Sequence, residues 1–140
     1  MKGLSIDELK IGDIGWIEKT ISEHDVYTFA GLTGDFSWVH VNEERAKKGR
    51  FGQRIAHGML TIGFISCVIG TQIPGPGTIY LTQDMKFLKP VFFGDTIHAE
   101  VEVIEIIKEK NKVKLKTSVS NQQGDLVLTG EAYVIPPQSE

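Results

Sequence analysis

The sequence predicts one α+β domain in which a strongly curved antiparallel sheet wraps around a long buried helix. Three observations carry this. The chain has 140 residues, the size of one domain, and a domain of about 150 residues hides about 68–70% of the surface its unfolded chain exposes. Residues 58–72 are apolar on every face of a helix, and no Asp, Glu, Lys or Arg occurs from Ile55 through Gln83. A helix apolar all round has to be enclosed. The C-terminal half alternates apolar and polar residues with a period of two, the pattern of strands that lay one face on a core.

The elements follow in order. A strand is expected near 14–21. Residues 22–33 read as a helix. Ser22 and Asp25 form the S-x-x-D variant of a capping box, and Val26, Phe29, Ala30 and Thr33 share a face. Gly34 stands where a left-handed cap is expected, and a loop runs over 34–40. Asn42 is suited to cap a short polar helix at 43–48. Pro74-Gly75-Pro76-Gly77 stops the central helix. Ile79, Leu81, Met85 and Phe87 open the alternating series. Ile97, Ala99, Val101 and Val103 continue it, and the phase then slips to Ile104 and Ile106, which predicts a bulge. Val113, Leu115, Thr117 and Val119 follow, then Leu126, Leu128, Gly130, Ala132 and Val134, with turns at Lys110-Asn111 and Gln123-Gly124. The whole of 1–140 reads as a single domain, with 136–140 as a frayed tail.

Composition excludes several classes. Hydrophobic residues are 41% and charged residues 24%, which excludes a disordered chain, a collagen-like fibre and a coiled coil. The net charge of -3 provides no field that favours nucleic acid or an anionic membrane. The single cysteine, Cys67, excludes an intrachain disulfide and a cysteine-based zinc site, and fits a reducing, cytoplasmic setting. The first residues lack the apolar core of a signal peptide. The most apolar run, interrupted by Thr61, Gly63 and Ser66, is far short of the roughly 20 residues that cross a bilayer.

Four features can carry chemistry, and each has a plainer reading beside it. Asp35 and His40 lie five apart between two helices. A carboxylate and an imidazole placed together can hold one water, one taking a proton while the other gives one; a turn aspartate and an incidental histidine explain the same spacing. His57-Gly58 opens the central helix, where unpaired N–H groups and the positive end of the dipole suit a developing oxyanion. A helix that simply starts at a glycine is the alternative. Arg45, Lys47, Lys48, Arg50 and Arg54 cluster in one stretch and suit the phosphates of a cofactor handle, or a solvated face. Ser66 is polar within an apolar helix, where serine ordinarily bonds to the carbonyl four residues back. Cys67 reads as a small core residue rather than a nucleophile.

The stretch Phe29-Ala30-Gly31-Leu32-Thr33-Gly34-Asp35-Phe36-Ser37-Trp38-Val39-His40, followed by Ala46, resembles the hydratase signature of the MaoC-like family. Arg54-Ile55-Ala56-His57-Gly58-Met59-Leu60 resembles a second motif of that family, and Gly77-Thr78-Ile79-Tyr80 with Phe87-Leu88-Lys89-Pro90-Val91 and Gly94-Asp95 a third region. The likeness spans roughly 7–135. It implies the hot-dog fold, a homodimer, and reversible syn addition of water to trans-2-enoyl-CoA to give (R)-3-hydroxyacyl-CoA. Position by position, it implies that Asp35 and His40 activate the water and that the Gly58 N–H polarises the thioester carbonyl. Ser66 falls where the family often has a serine supporting the active-site loop. The commonest signature has Asn and Pro where this chain has Ser37 and Trp38, which places those two residues, with Arg54 and Ser66, among the expected substrate contacts. The resemblance implies no cofactor, since the CoA thioester (or an acyl carrier protein thioester) is itself the substrate handle.

Two other readings stand beside the hydratase. A hot-dog thioesterase often places a carboxylate on or near the central helix, and 59–73 contains neither Asp nor Glu. A non-catalytic acyl-CoA-binding module has no need of both Asp35 and His40.

Overall fold

The computed structural model describes residues 1–139. Strand β1 (Ile14–Thr20) leads into helix α1 (Glu23–Thr33), the helical turns α2 (Trp38–Val41) and α3 (Glu43–Lys47), and the long helix α4 (Gly58–Thr71). Five strands follow: β2 (Ile79–Gln83), β3 (Lys86–Phe87), β4 (Thr96–Ile107), β5 (Lys112–Ser120) and β6 (Leu126–Ile135). They form one antiparallel sheet in the order β1-β4-β5-β6-β2, with β3 also paired to β6. This is the expected α+β arrangement.

Local chemistry sets the element ends as expected. Ser22 and Asp25 exchange the two hydrogen bonds of a capping box, and Gly34 ends α1 at φ 82°. The Asn42 side chain accepts from the N–H of Arg45 and starts α3. The bulge falls between Val103 and Glu105 of β4, and the turns close on Asn111 at φ 48° and Gly124 at φ 79°. Ile65, Val68 and Ile69 of α4 pack with Ile97, Ala99, Val101 and Val103 of β4 and with Val113, Leu115 and Val119 of β5. Gln72 clasps the edge strand β1: its Oε1 accepts from the N–H of Trp16 at 3.0 Å, and its Nε2 donates to the Trp16 carbonyl at 2.9 Å.

Four expectations need correction. Helix α4 is not enclosed on all sides, because Met59, Gly63, Ser66, Cys67 and Gly70 are exposed while Ile62, Ile65, Val68 and Ile69 are buried. Ile79 and Leu81 of β2 and Phe87 of β3 are exposed too, so the sheet's far edge lays no apolar face on this chain's own core. In β6 the inward set begins with Val127 and Leu128 together, and Leu126 is exposed. The pairing with β5 shifts register between Val119 and Ser120, which turns Val127 inward. Lastly, Pro136 is buried, and a side chain built on Gly3 or Gly77 would press on Pro137, so these two prolines are packed rather than frayed. Gln138 and Ser139 are exposed, and Glu140 lies outside the described residues. Among the described residues no helix is long and apolar enough to cross a membrane.

Candidate active site

The left-handed Gly34 turns the chain out of α1 and delivers Asp35 beside the N-terminus of α4. The Asp35 carboxylate is half-exposed and accepts through Oδ1 from the N–H of Ser37 at 3.1 Å, an Asx turn that starts the next helical turn. That turn is α2, so His40 sits on a short helix and not in an open loop. The helix points its imidazole inward, where it is buried. The His40 Nδ1–H donates to the Ile55 carbonyl at 2.7 Å. Because a carbonyl only accepts, Nε2 is left with its lone pair, 3.9 Å from Oδ2 of Asp35. This is too long for a direct hydrogen bond and a span that one water oxygen can bridge. Burial holds the His40 pKa below its ordinary 6.5, and neighbouring His57 acts in the same direction, against the Ile55 hydrogen bond and Asp35. His40 is therefore a neutral base at neutral pH.

His57 is the residue that sequence reasoning passed over, having noted it only as the start of a helix. It is 3% exposed. Its Nε2–H donates to the main-chain carbonyl of Asp35 at 2.9 Å, and its ring stacks on His40 with centroids 3.8 Å apart. Asp35, His40 and His57 bring three donor atoms within 4.8 Å of one another, close enough to suggest a metal. The Nε2–H of His57 is committed to the Asp35 carbonyl, however, so that nitrogen has no lone pair to offer a metal.

Gly58 is the first residue of α4, and the side chain of His57 makes no cap to this end. The first N–H groups of the helix are thus unpaired by side chains and carry the positive end of its dipole. This end of the helix borders a cavity of about 550 Å³ whose lining includes Phe51, Ala56, Gly58, Met59, Phe87 and Leu88, while Asp35, His40 and His57 lie beside it rather than in its lining. The cavity is apolar, with Arg50 and Lys89 among its lining. The ring of Phe87 lies against Gly58 so closely that a Cβ built there would be 2.6 Å from Cε1.

The remaining expected site residues are not all brought to this point. Ser37 contributes its backbone to Asp35. Trp38 packs on Gly49 and under Arg45, whose guanidinium lies 4.6 Å from the ring centroid, and it is not part of the cavity lining. Ser66 is eight residues along α4 from Gly58, a rise of about 12 Å. It lines a second, open depression of about 360 Å³ beside β2, with Met59, Tyr80 and Leu81. Arg54 has a different task from the expected phosphate contact. It donates to Glu23 Oε2 at 3.2 Å and Tyr27 Oη at 3.1 Å, and lies over Phe93. Tyr27 in turn donates to the Val41 carbonyl at 2.9 Å. Arg54 and Tyr27 therefore tie α1 to α2, and the arginine's charge is already paired. Lys47 is paired with Glu44, which leaves Arg50 as the basic residue of that run at the cavity.

The chain resembles known proteins along most of its length. Residues 15–124 match the model of the MaoC like domain. The chain is 47% identical, over 94% of its length and 90% of the relative's, to an (R)-specific enoyl-CoA hydratase of Rhodospirillum rubrum. It is 42% identical to a 3-hydroxybutyryl-CoA dehydratase of Methylorubrum extorquens, over 100% of this chain and 88% of the relative. Among solved structures it superposes with TM-score 0.93 on the unliganded R-hydratase PhaJ1 of Pseudomonas aeruginosa, at 41% identity, covering 98% of this chain and 88% of that one.

Proposed function

From the premise that this chain belongs to the MaoC-like family, we propose that it is an (R)-specific enoyl-CoA hydratase, a hydro-lyase that adds water reversibly to trans-2-enoyl-CoA. The observation that carries the reading is the Asp35 carboxylate 3.9 Å from the Nε2 of a neutral His40, beside an uncapped helix N-terminus. Water held between the two gives up a proton to the pair as its oxygen bonds to C3. The pair returns a proton to C2 on the same face, which makes the addition syn. The thioester carbonyl, which gains negative charge as C3 is attacked, accepts from the Gly58 N–H. The chemistry closes with these groups and water alone, so no cofactor is required.

The apolar cavity takes the acyl chain, and Arg50 and Lys89 in its lining suit the phosphates of a CoA handle. A carrier-protein thioester would present the same acyl group to the same site. The enzyme works as a homodimer in the cytoplasm. Exposed Ile79, Leu81 and Met59 supply the apolar face that a second copy covers, and a single exposed cysteine suits a reducing compartment. The test is loss of the enoyl-thioester absorbance when purified protein meets crotonyl-CoA, with sedimentation run alongside. Rapid hydration by a dimer is expected; release of free CoA would point to a thioesterase, and binding without turnover to a non-catalytic module.

A further inference from the structure

The reaction just described uses Asp35, His40 and Gly58 and leaves His57 without a role. A buried imidazole ordinarily satisfies both of its nitrogens. His57 does not: Nε2–H donates to the Asp35 carbonyl at 2.9 Å, while Nδ1 is buried with no partner among the described residues. Phenylalanine would fill similar space without stranding a nitrogen, so packing alone does not account for histidine. The bond that is made joins the residue before Gly58 to the residue bearing the carboxylate, across 22 positions of sequence. The ring face lies on His40 at 3.8 Å between centroids and 25° between planes. Phe29 of α1 packs on His57 as well, at 4.8 Å.

We propose that His57 is a positioning residue that holds both members of the pair in register with the Gly58 N–H. Its Nε2–H fixes the Asp35 main chain, and its ring sets the plane in which His40 presents Nε2. Since the partner is a carbonyl, the assignment also places a proton on Nε2. Reacting groups displaced by about 1 Å lose on the order of 10²-fold in rate, and two contacts of one side chain stand between this site and such a displacement.

The inference rests on the hydratase reading, so its first test avoids turnover. Long-range proton–nitrogen spectra of the resting native enzyme at neutral pH are expected to show a proton on Nε2 of His57. An Nε2 without a proton overturns the proposal, whatever the protein catalyses. The second test is kinetic. His57→Phe keeps a ring and removes the donor; His57→Gln keeps a donor near the Nε2 position and removes the ring. With crotonyl-CoA, His57→Phe is expected to lose about 10²-fold in kcat with KM changed less than about twofold, while His57→Gln stays within about tenfold of native. A folded His57→Phe with nearly native kcat overturns the proposal, as does a His57→Gln that loses the full 10²-fold. If His57→Phe does not fold, the spectrum and His57→Gln decide. If native enzyme hydrates nothing, the hydratase reading falls and the spectrum still judges the His57–Asp35 bond.

Discussion

Gly58→Ala is the smallest change that reaches the reacting carbonyl, and the structure sets its effect on stability apart from its effect on rate. A Cβ at this position would lie 2.6 Å from Cε1, 3.0 Å from Cδ1 and 3.1 Å from Cζ of Phe87. Overpacking of this kind costs about 1–3 kcal/mol in a closed core. Phe87 is 54% exposed and its ring can yield outward, so the low end applies. Alanine also regains about 0.5–1 kcal/mol over glycine in a helix. The two nearly cancel, to within about 0.5 kcal/mol, and the melting temperature should move by no more than about 2 °C. The rate is another matter. The new methyl, or the ring it displaces, occupies the space from which the carbonyl approaches the N–H. Removing one oxyanion donor costs about 10²–10³ in kcat, or about 2.7–4 kcal/mol. The assay is kcat and KM on crotonyl-CoA beside a thermal melt of the same sample. A folded Gly58→Ala within about tenfold of native kcat would refute the placement of the carbonyl at this helix end.

Asp35→Asn and His40→Ala should each lose about 10²–10⁴ in kcat/KM while circular dichroism is unchanged, and the double variant should be little worse than either single one. A double variant whose loss is the product of the two would mean that the residues do not act as a unit. Because burial depresses the His40 pKa, the rate should hold its plateau down through pH 6.5, the ordinary histidine value, and fall only below it. The same shift costs stability on the acid side. As pH drops through 6.5 the unfolded chain takes up the proton first, so denaturant midpoints should decline from there downward and be level above. An acid limb centred above the ordinary value would contradict both statements. Gly130→Ala tests the sheet: its Cβ would fall 2.0 Å from the main-chain oxygen of Asp84, which cannot step aside as a ring can. A loss of about 3 kcal/mol or more is expected in urea unfolding, and a change under about 1 kcal/mol would show that the close strand crossing is not there.

Much of the fold was legible because local chemistry specified it. The Ser22–Asp25 box, Gly34, Asn42 and Asn111 each act within four residues, and their roles can be read without knowing what lies across the molecule. Alternation located β4 and β5 for the same reason. The apolar pattern of α4 and β2 misled in one respect. Hydrophobicity shows that a face avoids water without showing whose surface covers it, and Met59, Ile79 and Leu81 are not covered by this chain. The inward turn of Val127 depends on a register shift against β5, which no single strand records. Asp35, His40 and Gly58 were legible as chemistry-bearing types at suggestive spacings. Arg54 was misjudged because its partners, Glu23 and Tyr27, lie 31 and 27 positions away. His57 was passed over because its significance lies in a stacking and a main-chain hydrogen bond that only the folded chain creates.

The proposed reaction adds water across one face of an enoyl thioester between Asp35 and His40. The most direct measurement is the stereochemistry of the product formed from crotonyl-CoA in deuterated water. The expected product is (R)-3-hydroxybutyryl-CoA with deuterium at C2 on the face that received the hydroxyl, formed by Asp35→Asn at a rate lower by about 10²-fold or more. An (S)-alcohol, deuterium on the opposite face, or the same product from Asp35→Asn at an undiminished rate would contradict it.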